Sequence, residues 1–165
     1  MANRKDLLNV PMSIEWTNKT NRKYFLRHLI QENKFTTMAE VGVRDGRTTF
    51  YLLDNIPDLV IYGIDLSLKG FYNNDVMNRY GNRLVPLEGD SHSLASKIPS
   101  VDLVFIDADH SYNGCKGDIL GYRSKVKPGG ILSGHDIDYP GVNQAVNELI
   151  KDFEVGPNNV WFVKT

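Results

Sequence analysis

The chain has 165 residues, 41% of them hydrophobic and 24% charged, with a formal net charge of −1. That length fits one domain, whose folding would bury roughly two-thirds of the unfolded surface, enough for a single good core. A nearly neutral chain of ordinary composition gives no electrostatic case for nucleic acid or a membrane surface as a partner. The lone cysteine, Cys115, excludes an internal disulfide and suits a reducing cytoplasm, the expected location. It falls in a helical stretch without a partner motif and reads as a packed thiol. The opening stretch MANRKDLLNVPMSIEW has only a short apolar run, so neither a secretory leader nor a membrane span is expected.

In chain order, NRKYFLRHLIQENK places Phe25, Leu26, Leu29 and Ile30 at helical spacing. Residues 1–34 then read as an N-terminal helical and lid segment, and 35–165 as the core. Short β-branched runs alternate with helical stretches from there on. TMAEVG is a strand and RTTFYLLDNI its helix; LVIYGID is a strand, followed by a helix near NNDVMNRYG. RLVPLEG is a third strand, SHSLASKI a short helix, and VDLVFIDAD the clearest strand of all. YNGCKGDILGYRSKV is a helix, GGILSGHD a fifth strand, and PGVNQAVNELIKDF a helix whose Pro140 suits a first turn. FEVGPNNVWFVK closes the chain as two short strands around a turn. Alternating strands and helices imply parallel pairing with right-handed crossovers, and near-continuous apolar strands imply a sheet covered on both faces. The expected fold is α/β: a doubly wound, mostly parallel seven-stranded sheet with a C-terminal antiparallel hairpin.

Such sheets bind ligands beyond the carboxyl ends of their strands. Here those ends carry Glu40–Gly42, Asp65, Gly89–Asp90, Asp107–Asp109 and His135–Asp136. Gly42 and Gly46 flank a turn into a helix, where free backbone N–H groups and close approach are available. Their spacing is wrong for a dinucleotide fingerprint, since Arg44 and Arg47 stand at the third and sixth positions, and no GxxxxGK[ST] phosphate loop exists. Asp65 is placed either to accept ribose hydroxyls or to cap the next element. Asp90 reads locally as a cap for the short helix that follows, and Asp109 reads as a proton acceptor or as a cap near Ser111. His110 is either a base, with an ordinary pKa near ~6.5, or a hydrogen-bonded loop histidine.

The pattern Glu40-x-Gly42-x-x-x-Gly46 resembles motif I of class I S-adenosylmethionine-dependent methyltransferases. The run VDLVFIDADHSYNGCKGDI followed by VKPGGILSGHD is similar to the subgroup related to catechol and sugar O-methyltransferases. The resemblance covers about Phe35 to Phe153. It implies S-adenosylmethionine as cofactor, held by Glu40, Gly42, Val43, Gly46, Thr48, Asp65, Leu66, Asp90, Ser91 and Asp107, with Asp90 taking the adenine amino group and Ser91 supporting it. In the metal-dependent relatives, ligands follow the fourth and fifth strands, which carries over to Asp107, His135 and Asp136. The metal would be Mg²⁺ or Mn²⁺, although His135 departs from the acid usual there and suits softer ions than Mg²⁺. Proton acceptors by the same resemblance are Asp109, His110 and His135.

The implied reaction is methyl transfer to a hydroxyl of a small molecule or saccharide. A neutral hydroxyl is a poor nucleophile, so a base or metal is needed. The first 20 residues are the obvious lid material, and inserts are minimal. The acceptor site is therefore open, or completed by a second copy of the chain in a homodimer. Two other readings stand beside this one. A nicotinamide-dependent oxidoreductase is opposed by the glycine spacing and by the lack of a Tyr-x-x-x-Lys pair. A catalytically silent cofactor-binding module is the third.

Overall fold

The computed structural model describes residues 22–72 and 75–165. The proposed lid, residues 1–20, lies outside the described residues. Helix α1 (Arg22–Glu32) precedes a regular alternation: β1 (Thr37–Val41), α2 (Arg47–Asn55), β2 (Val60–Asp65), α3 (Val76–Tyr80), β3 (Leu84–Glu88), α4 (Ser91–Leu94), β4 (Val101–Ile106), α5 (Tyr112–Tyr122), β5 (Val126–Gly134), α6 (Pro140–Leu149), β6 (Glu154–Val155) and β7 (Trp161–Lys164). The seven strands form one sheet in the order β3-β2-β1-β4-β5-β7-β6. Strands β1 to β5 pair in parallel, and β7 runs antiparallel to both β5 and β6. The sheet expected from the sequence is thus the one observed.

Alternation along each strand feeds two cores. Met38, Leu103 and Phe105 point to the face covered by α1, α2 and α3. Ala39, Val41, Val104 and Ile106 point to the face covered by α5 and α6. Both faces are dry, as parallel strands require. Full burial of a Leu, Ile or Phe contributes about 1.5–3 kcal/mol, and Leu26, Leu52, Ile61, Leu103 and Phe105 are all completely buried. Cys115 is buried in the other core, with Ile119 and Tyr122, and burial pushes its thiol up to about 12, so it is the inert packed residue expected.

Among the boundaries that differ from the sequence reading, two have a clear cause. The last helix stops at Leu149 rather than running to Phe153, because Ile150 takes an extended conformation and turns its side chain into the core. Strand β5 begins at Val126, upstream of the Gly-Gly pair. Its register against β4 shifts between Val101 and Leu103, and that irregularity lets Pro128 stand in a strand without a ladder N–H. At the same end Asp102 accepts hydrogen bonds from the Thr36 and Thr37 backbone N–H groups and from Lys127, at 2.9–3.0 Å.

The strand order reverses between β1 and β4. The carboxyl ends of these two strands diverge there, and the crevice between them positions the site.

Candidate active site

A cleft of about 820 Å³ opens along the carboxyl edge of the sheet. Its walls include Glu40, Gly42, Val43, Thr48, Asp65, Leu66, Asp90, Ser91, Asp107, Asp109, His110, His135 and Asp136. Of the residues singled out in the sequence, Gly46 alone is not on its wall. Gly46 instead takes a left-handed conformation (φ 80°) as the N-cap of α2.

The β1 turn depends on Gly42. Its φ is +95°, and a Cβ there would sit 2.2 Å from the Asp107 carbonyl oxygen. Only glycine lets β1 and the β4 loop approach this closely. The Gly42 N–H donates to the Ile64 carbonyl at 2.8 Å, joining the turn to β2. Beneath it, Glu40 is 2% exposed and accepts from the Thr49 hydroxyl at 2.5 Å. Burial pushes the Glu40 carboxyl up to about 8, against the opposing pull of that hydrogen bond.

At the tip of β2, Asp65 accepts from the Arg44 N–H at 2.7 Å and from the Ser67 N–H at 3.2 Å. These bonds are those of the capping reading. The carboxylate organises two turns and still faces the cleft, with Leu66 exposed beside it. Asp90 accepts from the Ser93 N–H and hydroxyl at 2.9 and 2.8 Å, capping α4. Those bonds hold its carboxyl below the usual range.

The β4 and β5 ends bring four titratable groups together. His110 Nε2 lies 2.8 Å from Asp136 Oδ2 and 3.8 Å from Asp107 Oδ1. His135 Nδ1 lies 3.0 Å from Asp136 Oδ1 and 3.5 Å from Asp107 Oδ1. Neither histidine makes an aligned hydrogen bond through these buried nitrogens, so the charged atoms converge rather than pair off. Burial opposes the His135 imidazolium, but contact with Asp107 and the charges of Asp107 and Asp136 outweigh it and raise its pKa. Asp136 holds a left-handed backbone (φ 56°), a strained conformation for a non-glycine residue of the kind that gathers at functional sites. Arg22 reaches in from α1, with Nη2 3.3 Å from Asp107 Oδ2. Tyr139 lies against the His110 ring, centroids 4.9 Å apart.

Asp109 is held differently. Both its oxygens accept from Ser111, through the N–H at 2.8 Å and the hydroxyl at 2.9 Å, and these bonds lower its pKa. Ser111 in turn caps α5 by accepting from the Gly114 N–H. Arg22 and Asp118 are among the cleft residues that escaped the sequence reading. Arg22 gave no local signal. Asp118 did: it shares a helical face with Cys115, Ile119 and Tyr122, all buried, so its carboxylate had to be inside.

A switch-point crevice with an acid at the tip of each strand is the signature of an α/β protein that holds a nucleoside-bearing cofactor. A family model described as a methyltransferase domain matches residues 39–137. The chain belongs to that family and is a class I S-adenosylmethionine-dependent methyltransferase. It is 27% identical to an uncharacterised protein, R132, of Acanthamoeba polyphaga mimivirus, covering 84% of this chain and 73% of that protein. Among solved structures it is similar to a candidate caffeoyl-CoA O-methyltransferase of Staphylococcus aureus, with a TM-score of 0.75, 15% identity and coverage of 99% and 93% of the two chains. It is also similar to CalS11, a TDP-rhamnose 3'-O-methyltransferase of calicheamicin biosynthesis (TM-score 0.68, 18% identity, 97% and 90% covered). A third is the mycinamycin-pathway methyltransferase MycE, solved with Mg and S-adenosylhomocysteine (TM-score 0.63, 18% identity, 87% and 49% covered). At these identities the structural likenesses establish the fold.

Proposed function

We propose that the chain methylates a hydroxyl of a small molecule or saccharide, with His110 taking the hydroxyl proton. One observation carries this reading. His110 lines the cleft where the β4 and β5 loops meet, with its buried Nε2 2.8 Å from Asp136. The named relatives that act on hydroxyl groups support the acceptor class.

In this reading the turn at Gly42 and the buried Glu40 receive the methionine end of S-adenosylmethionine. Asp65 accepts from its ribose hydroxyls, and Leu66 and the Ser91–His92 wall meet the base. When bound, S-adenosylmethionine would supply an electrophilic methyl group, its carbon–sulfur electron pair leaving with sulfur as the acceptor oxygen bonds to the carbon, and His110 takes the O–H proton. Asp136 and Asp107 stabilise the imidazolium so formed. Base catalysis of this kind contributes about 10²–10⁴ in rate, and alignment of the two reactants supplies much of the rest. Asp109 is assigned to building the loop, because its bonds to Ser111 lower its basicity.

The same residues fit a divalent cation. Asp107, His110 and Asp136 each offer a ligand atom, all within 4.8 Å of one another. Two hard oxygens and an imidazole suit Mn²⁺ or Fe²⁺ at least as well as Mg²⁺. These three, with His135 alongside, would hold the ion, which when bound would acidify the acceptor hydroxyl.

The test is a methyl-transfer screen with labelled S-adenosylmethionine against phenols, sugars and amines, run with and without a chelator. Label on hydroxyl acceptors is expected, and label confined to amines overturns the reading. Turnover that survives chelation assigns deprotonation to His110 alone. Turnover that is lost, and restored by Mn²⁺, assigns it to the ion.

A further inference from the structure

On the wall of the cleft formed by α4 and α5, a second buried cluster serves no step of the methyl transfer. Asp118, on α5, is 1% exposed, and its Oδ1 accepts from the Ser91 hydroxyl at 2.5 Å. Its Oδ2 is buried with no partner among the described residues. A buried carboxylate with one donor is costly, and an apolar residue among Cys115, Ile119 and Tyr122 would cost less. Burial accordingly raises its pKa.

The groups around Ser91 are held still. Its carbonyl accepts from the Tyr122 hydroxyl at 2.8 Å. His92 Nε2 lies 3.2 Å from the Gly114 carbonyl and 3.5 Å from Asp118 Oδ1. The ring packs so tightly on α5 that a Cβ at Gly117 would come within 2.3 Å of it. Ser91, His92, Gly114 and Asp118 together form this wall of the cleft. Asp90, the acid expected to meet the base, has turned one oxygen to cap α4.

We propose that Asp118 is a positioning residue that sets which nucleobase the site accepts, by holding the Ser91 hydroxyl hydrogen so that Ser91 Oγ faces the cleft as an acceptor only. An ionised Asp118 can only accept, so the shared hydrogen belongs to Ser91 and points away from the ligand. The lone pairs left over match an exocyclic amino group, as on adenine. They repel a ring carbonyl, as on hypoxanthine. This inference rests on the nucleoside placement proposed above.

The test compares binding of S-adenosylhomocysteine and S-inosylhomocysteine by calorimetry. The native chain should favour the adenosyl compound by about tenfold or more, the scale of one hydrogen bond made or lost. In Asp118→Asn the amide can donate to Ser91 Oγ and free the hydroxyl hydrogen, so the preference should shrink to within about threefold. Asp118→Leu removes the buried charge and needs no partner, so it serves if the asparagine variant does not fold. Ser91→Ala should abolish the preference, and adding Asp118→Asn to it should change nothing more, since Asp118 acts through Ser91. A merely structural Asp118 would weaken both compounds together and leave their ratio intact, which would overturn the inference while the donor site stands. A native chain that binds neither compound would overturn the donor site as well.

Discussion

The two halves of the carboxyl edge are held by different forces. On the β1–β3 side the polar groups are fixed by backbone: Asp65 by the Arg44 and Ser67 N–H groups, Asp90 by the Ser93 N–H, and the Gly42 turn by the Ile64 carbonyl. On the β4–β5 side, Asp107, Asp136, His110, His135 and Arg22 face one another at 2.8–3.8 Å with charge as the main bond between them. Backbone donors cannot move without unfolding a turn, so the first half is preorganised for a ligand of fixed shape. A knot of like and unlike charges can redistribute a proton or admit a cation, which suits the role proposed for this half.

The comparison breaks most visibly at His110. His110→Ala should lower kcat by about 10²–10⁴ while S-adenosylhomocysteine affinity, read by calorimetry, stays within about threefold. An equal loss in both would mean that the charged half also holds the donor. Next in size is Asp65→Ala, which removes an acceptor that a bound ribose would use. Donor affinity should fall about 10–100-fold, with kcat at saturating donor little changed. Unchanged affinity would reduce Asp65 to an organiser of turns.

A third effect is on stability. The Glu40 carboxyl titrates at about 8 in the folded chain and near ~4.3 when unfolded. The folded state therefore binds the extra proton between these values, and stability from this group is full below the lower one. It falls as pH rises toward about 8. Glu40→Gln cannot ionise, so its melting temperature should gain on the native chain across that window and hold level above it. Parallel melting curves from pH 4 to 9 would show that Glu40 does not set this slope.

Some of the site could be read directly. Acids at the ends of apolar runs lie on one edge, because strands of a parallel sheet all point the same way. That is why Asp65, Asp90, Asp107 and Asp136 fall around one cleft. Whether each faces a ligand or serves its own loop was not legible. Asp109 and His110 are neighbours in sequence, yet Ser111 engages the first and the β5 loop engages the second. Local hydrogen bonding decides the one, and a contact between distant loops decides the other. Arg22 was hidden for the same reason: its partner, Asp107, is far along the chain.

Alternating apolar runs, turn residues and strand-end acids by themselves determined the layered sheet, its parallel sense and the edge where a ligand belongs, because periodicity and chirality act along the chain. Only the tertiary structure decided which side chains meet across that edge. The approach of His110 to Asp136 and of Asp118 to Ser91 depends on how β4, β5, α4 and α5 pack, and on burial that changes what a carboxylate can do. Those distances are set by the whole core at once, and no single stretch of sequence carries them.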